Sequence, residues 1–235
     1  MSFRARIMAS VAFATASFLL APSALAASHP VQVTGGKLKS ALLPAASFGS
    51  DFHLQFVLWS KGLWHQRATD HVPSMSCARF EDGTIGRFGE SAVALSFVDD
   101  NNAITNYPNS EFYYNQVVYQ FPSVKAASTY YSQAKAKYAK CKDFTENVQA
   151  SSVPGSGKMD TTLMSMAKTK VGRYQAFQAV QDVALSEAPG FSLTLNTLVT
   201  VEGTDVFTIV SLSGTNDPVS TSLMLKLVNR VRKLR

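Results

Sequence analysis

Apolar and polar positions follow two rhythms along this chain. Ala127, Tyr130, Tyr131, Ala134, Tyr138 and Cys141 recur at helical spacing, with Lys125, Lys135, Lys137 and Lys140 off that stripe. Pro122 stops whatever precedes, and Ser123 supplies a hydroxyl able to cap the free N–H groups of a first turn. The pattern predicts a helix from Ser123 to Cys141, with Cys141 on its buried side. A second stripe, Val219, Leu223, Leu227, Val231 and Leu234, predicts a C-terminal helix, with Asp217 as N-cap and Pro218 at the first helical position. Leu38, Leu42 and Leu43 suit a short helix within Lys37 to Ala46, stopped before Pro44.

The other rhythm is that of strands. Asp51 to Leu58, Ser91 to Val98, Glu111 to Phe121 and Tyr174 to Val183 are rich in β-branched and aromatic residues or alternate in polarity. Between Phe191 and Val201, residues Leu193, Leu195, Thr197, Val199 and Val201 share one face; Glu202-Gly203-Thr204-Asp205 turns the chain, and Val206 to Leu212 returns as a hairpin. The Glu111 to Phe121 strand carries aromatics at both parities. One set must face the core, and the other (Tyr113, Tyr119 and Phe121, or Phe112, Tyr114 and Gln120) a second layer or a groove. Consecutive strands pair as neighbours, so the expected class is α+β: a mainly antiparallel sheet, helices packed on one face, and one disulfide. Ser151 to Lys158 reads as an exposed loop or hinge, too central to divide the chain, so residues 27–235 are expected to form a single domain.

The first residues change the compartment. Arg4 and Arg6, an apolar run from Ile7 to Leu20, and Ala24-Leu25-Ala26 make a secretory signal peptide over residues 1–26, cleaved to release a protein beginning near Ala27. The apolar run is too short for a good membrane anchor, and no cysteine follows it to carry a lipid. Outside the cytoplasm, two cysteines, Cys77 and Cys141, read as one disulfide, with two buried free thiols as the alternative. A bridge across so long a loop would stabilise the fold by roughly 4 kcal/mol in the chain-entropy model. The formal charge of the whole chain is +6, and the leader arginines account for two of those charges. Lys226, Arg230, Arg232, Lys233 and Arg235 gather at the end, a solvated helix face first and a weak contact with an anionic envelope surface second; nucleic acid is not an expected partner.

Candidate chemistry is sparse. His53, His65 and His71, with Asp51 and Asp70 nearby, match no metal-ligand spacing and read as scattered surface groups. No nucleophile elbow is present. Gly155-Ser156-Gly157-Lys158 resembles the end of a phosphate loop, but Met159 stands where a hydroxyl is needed. Asp99-Asp100-Asn101-Asn102 reads as a turn rather than a calcium loop. Trp59, Trp64, Tyr107, Tyr113 and Tyr114 are candidates to line a ligand cleft, although core packing is the commoner fate of aromatics.

Three blocks carry a resemblance: LKSALLPAASFGSDF; VPSMSCARF followed by ESAVALSFV; and QVVYQFPSVKAASTYYSQAKAKYAKC. In them the chain resembles the PknH-like extracellular domain family, found outside the membrane on an actinobacterial Ser/Thr kinase and in stand-alone secreted proteins and lipoproteins. The resemblance spans nearly the whole mature chain. It implies an antiparallel sheet packed with helices around a cleft, a Cys77–Cys141 disulfide, binding of an extracytoplasmic ligand, and no enzymatic activity or cofactor. The chain departs from some members in having no second cysteine pair, and it carries no kinase domain or transmembrane segment. The expected function is a secreted, non-catalytic module that binds a small molecule, an envelope component or a partner protein. The competing readings are a secreted hydrolase with a His/Asp/Ser site, and an interaction protein with no cleft.

Overall fold

The computed structural model describes residues 31–61, 92–100, 111–148, 157–185, 192–214 and 218–235. The signal-peptide residues, Cys77, His65, His71, Asp70, Trp64, Tyr107 and the loop 151–156 lie outside them.

Among the described residues, eight strands form one sheet: β1 (Phe52–Lys61), β2 (Ala92–Asp100), β3 (Glu111–Gln120), β4 (Asp143–Val148), β5 (Gly157–Val171), β6 (Tyr174–Leu185), β7 (Ser192–Glu202) and β8 (Asp205–Ser213). Their order is β1-β2-β3-β8-β7-β6-β5-β4, and every neighbouring pair is antiparallel. The sheet is thus two meanders, β1–β3 and β4–β8, joined edge to edge by the β3–β8 pair.

That order explains the long helix. The chain leaves β3 near the centre and must reach β4 at the far edge, five strand spacings of about 4.8 Å away. Helix α2 (Val124–Lys140) has 17 residues, which at 1.5 Å each span about 25 Å, enough to cross the second meander. It packs on β5, β7 and β8. Ser123 caps it, accepting from the Ala126 amide, and its buried residues are Ala127, Tyr130, Tyr131, Ala134 and Tyr138. The helical stripe in the sequence is therefore the buried face. Tyr130 meets Tyr119 and Phe121, with ring centroids 5.4 and 5.1 Å apart. Tyr131 and Tyr138 both meet Phe177 on β6, at 5.5 and 5.6 Å.

The opposite face is covered by α1 (Gly35–Ala41) and α3 (Thr221–Arg232). Leu38, Ala41, Met224, Leu227, Val228 and Val231 pack there with Val118, Leu198, Phe207 and Ile209. Two glutamines of β3 hold the segment around α1. Gln116 accepts from the Leu43 amide at 2.9 Å and donates to the Leu43 carbonyl at 2.7 Å, and Gln120 accepts from the Val33 amide at 2.9 Å. Arg230 Nε donates to the Ala41 carbonyl at 2.8 Å and so joins the two helices.

The expected fold class needs correction. The class is α+β, but the sheet is antiparallel at every pairing and the helices lie on both faces, because strands β2, β3, β7 and β8 bury apolar side chains at both parities. One helical layer would leave half of those side chains in water. The expected Cys77–Cys141 disulfide is not among the features the described residues show, since Cys77 lies outside them. No disulfide closes among the described residues, where Cys141 is the sole cysteine, buried at the end of α2 and not a free thiol. Among the described residues, α2 is held by the side-chain packing of its buried face. At the C-terminus, Ser220 rather than Asp217 precedes the helix, which begins at Thr221. Strand β4 follows α2 directly, where the hydrophobic pattern of the sequence predicts no strand.

Candidate functional site

The floor of the sheet on the α1 and α3 side is polar in one patch. Tyr114, Ser211, Asn196 and Val180 stand side by side across β3, β8, β7 and β6. In the next row Ser213 pairs with Thr194, which pairs with Asp182. Asn196, Ser211 and Ser213 are fully buried, and Thr194 nearly so. Asp182 accepts a hydrogen bond from the Ser192 hydroxyl. Tyr114 closes one side, its ring 4.7 Å from Phe48 and 5.3 Å from Phe52.

Within this patch, Asn196 Oδ1 and Nδ2 and Ser211 Oγ have no hydrogen-bond partner, nor does the neighbouring Gln178 Nε2. The contrast with Gln116 is informative. Both carboxamides project from central strands on the same face, yet Gln116 meets Leu43 and the Ser96 hydroxyl, the latter at 2.8 Å. A buried polar group without a partner costs about 1–3 kcal/mol. A group that supplied both donors and acceptors to these atoms would offset that cost.

The opposite face offers an aromatic row. Phe56 stacks on Phe97 at 5.3 Å, and Phe97 meets Tyr113 at 4.7 Å. Phe56 is 45% exposed, and the main strand contacts of α2 are with β5, β7 and β8. Trp59, on the other face of β1, is half exposed, with Lys39 Nζ 3.7 Å from its ring centroid.

The residues singled out by sequence are not gathered into one centre. His53 is exposed on β1, three strands from Ser211, a separation of roughly 14 Å at about 4.8 Å per strand. Asp51 is exposed, and Asp99 lies opposite His53 in register. Among the described residues no three His, Cys, Asp or Glu side chains gather as metal ligands, and no helix is long and apolar enough to cross a membrane. Tyr113 and Tyr114 take opposite faces. The C-terminal arginines are partnered: Arg230 with the Ala41 and Ser40 carbonyls, Arg232 with Glu202 at 3.4 Å, and Arg235 with Asp205 at 2.6 Å. Of that basic group, Lys226 and Lys233 remain as exposed lysines. The sequence pattern does not single out Asn196 or Ser211, because Asn196 lies on the face of β7 opposite the Leu193 to Val201 set. The available signal was an asparagine amid a β-branched strand, where that residue is normally depleted.

These features define an α+β protein with a single antiparallel sheet between two helical layers and a buried polar patch on one sheet face. A solved structure shares this fold: the extracellular domain of PknH from Mycobacterium tuberculosis, similar at a TM-score of 0.60 and 14% identity over 86% of this chain and 98% of that one. The likeness is one of fold. No family model matches the chain, and no curated protein does.

Proposed function

We propose that this protein is a non-catalytic, sensor-type binding module that works outside the cytoplasm. Its ligand is a small uncharged molecule rich in hydroxyl or amide groups, held on the sheet floor by Asn196 and Ser211. The observation carrying this reading is the set of buried, unpartnered donors and acceptors on those two side chains. A carboxamide offers donors and acceptors together, and a hydroxyl offers both from one atom. Neither carries charge, so the complementary ligand is neutral and polar. The fold shared with a kinase's extracellular domain supports a sensing role, and the leader pattern of residues 1–26 supports export.

The test is a thermal-shift and calorimetric screen of the mature chain against sugars, polyols and small amides, run beside Asn196→Leu. A ligand that binds only the folded state raises the melting temperature. The expected result is a ligand-dependent rise in the wild type that Asn196→Leu abolishes, while the unliganded variant is as stable as the wild type or more so. Leucine removes unsatisfied atoms at similar volume. If Asn196→Leu is strongly destabilising and no compound shifts the wild type, the patch is a structural water site and the reading fails.

A further inference from the structure

Strand β1 is, among the described residues, an edge of the sheet and exposes apolar groups on both sides. Among the described residues, seven large hydrophobic side chains are exposed, and four of them, Leu54, Phe56, Leu58 and Trp59, lie on this one strand. Pairing with β2 assigns their faces. Leu54 and Trp59 stand opposite Val98 and Ala94, whose side chains join the α1 and α3 core, whereas Phe56 and Leu58 stand opposite Phe97 and Leu95 on the α2 side. Their exposures are 54%, 45%, 40% and 49% for Leu54, Phe56, Leu58 and Trp59. Edge strands are normally guarded by charge, proline or short length. This one runs ten residues, FHLQFVLWSK, with no proline and no Asp, Glu, Lys or Arg before its last position. Among the described residues, the guard it carries is a bulge between Leu54 and Phe56.

We infer that β1 is a dimerisation edge, pairing antiparallel with β1 of a second copy of this chain to extend the sheet across a two-fold axis. An occupant must bring a free strand edge and apolar side chains on both faces. The other edge of this sheet, β4, reads DFTENV, and its Asp143 and Thr145 are exposed, so it does not match. Strand β1 matches itself. A two-fold axis perpendicular to the sheet maps each face onto its own kind, placing Phe56 and Leu58 beside their counterparts on one face and Trp59 beside its counterpart on the other. Area favours this as well. Aromatic side chains carry about 150–250 Å² each, and with roughly half exposed, the four residues offer about 350 Å² per copy. Two copies and their paired backbones then approach the total of about 1,000 Å² expected of a specific interface.

The experiment is sedimentation velocity on the mature chain over a concentration series, with Phe56→Lys, Leu58→Lys and, as a control, Met164→Lys, which alters an exposed methionine on β5. The wild type and the Met164 variant are expected to dimerise. Each β1 variant should associate roughly thirtyfold more weakly, the loss expected of one hot-spot side chain. Hydrogen exchange on the wild type gives a reading that needs no variant: β1 amides should gain protection as concentration rises. A wild type that stays monomeric overturns the inference, as does a dimer whose β1 amides exchange at the monomer rate. A monomer in which β1 is protected only by an added extended peptide assigns the edge to a different protein and also overturns it.

Discussion

Asp205 is fully buried, and Arg235 Nη2 donates to its carboxylate at 2.6 Å. Gln120 Nε2 donates to the other oxygen at 3.3 Å while its Oε1 accepts from Val33. One carboxylate thus ties together the β7–β8 hairpin, the end of β3, the segment before α1 and Arg235, three residues beyond α3. Burial pushes the Asp205 carboxyl up to about 6 from 3.8, although Arg235 and Gln120 pull it down; Glu202 adds to the rise. The folded chain therefore binds a proton between about pH 4 and 6 that the unfolded chain releases. The contribution of this group to stability is most favourable below that window, falls as pH rises through it, and is level above.

The first prediction follows from that sign. Urea denaturation midpoints of the wild type, compared with Asp205→Asn, should show a wild-type component that declines from pH 4 to pH 6 by at most about 3 kcal/mol, and the Asn variant should lack it. Arg235→Ala strands a buried carboxylate. It should cost about 3 kcal/mol at pH 7 and clearly less at pH 5, where the carboxyl is protonated. Equal losses at both pH values would show that Arg235 acts by packing alone.

Gln116 supports a second prediction. Replacing it with leucine leaves the Leu43 amide and carbonyl, and the Ser96 hydroxyl, without the bonds they now make. The expected cost is about 2–4 kcal/mol, from the desolvation of newly unsatisfied groups. Native-state hydrogen exchange should show the Leu43 amide losing protection before the β7–β8 amides do.

Two hairpin glycines give a comparative prediction. Gly172 and Gly203 hold φ of +58° and +59°, where a side chain costs about 1–2 kcal/mol. A Cβ on Gly172 would also meet Leu225 Cδ1 at 3.2 Å, whereas one on Gly203 would find its nearest neighbour, Arg235 Nη1, at 3.8 Å. Both alanine variants should be destabilised, Gly172→Ala more so, in parallel thermal melts. A larger loss at Gly203 would contradict the packing of α3 against the β5–β6 hairpin.

Much of the fold was legible because its signals are local. Helix α2 was readable to its buried residues, since one face of a helix repeats every three to four positions whatever it packs on. The β7–β8 hairpin was readable from Gly203 and the alternation beside it. The end of α3 was less so: Pro218 fits a first helical turn, yet the helix starts three residues later. Strand β4, DFTENV, carries too little apolar pattern to stand out, since an edge strand can leave its polar side chains in water.

The chain's own sequence determined its helical stripes, its turns and its mixed α+β character, because hydrophobic period and backbone preference act over a few residues. Tertiary structure alone decided that β3 pairs with β8, that α2 and α3 take opposite faces, and that Asn196 meets Ser211 with no partner for either. Those outcomes depend on which residues far apart in the chain become neighbours. That is set by the sum of burial over the whole sheet and is written in no single segment.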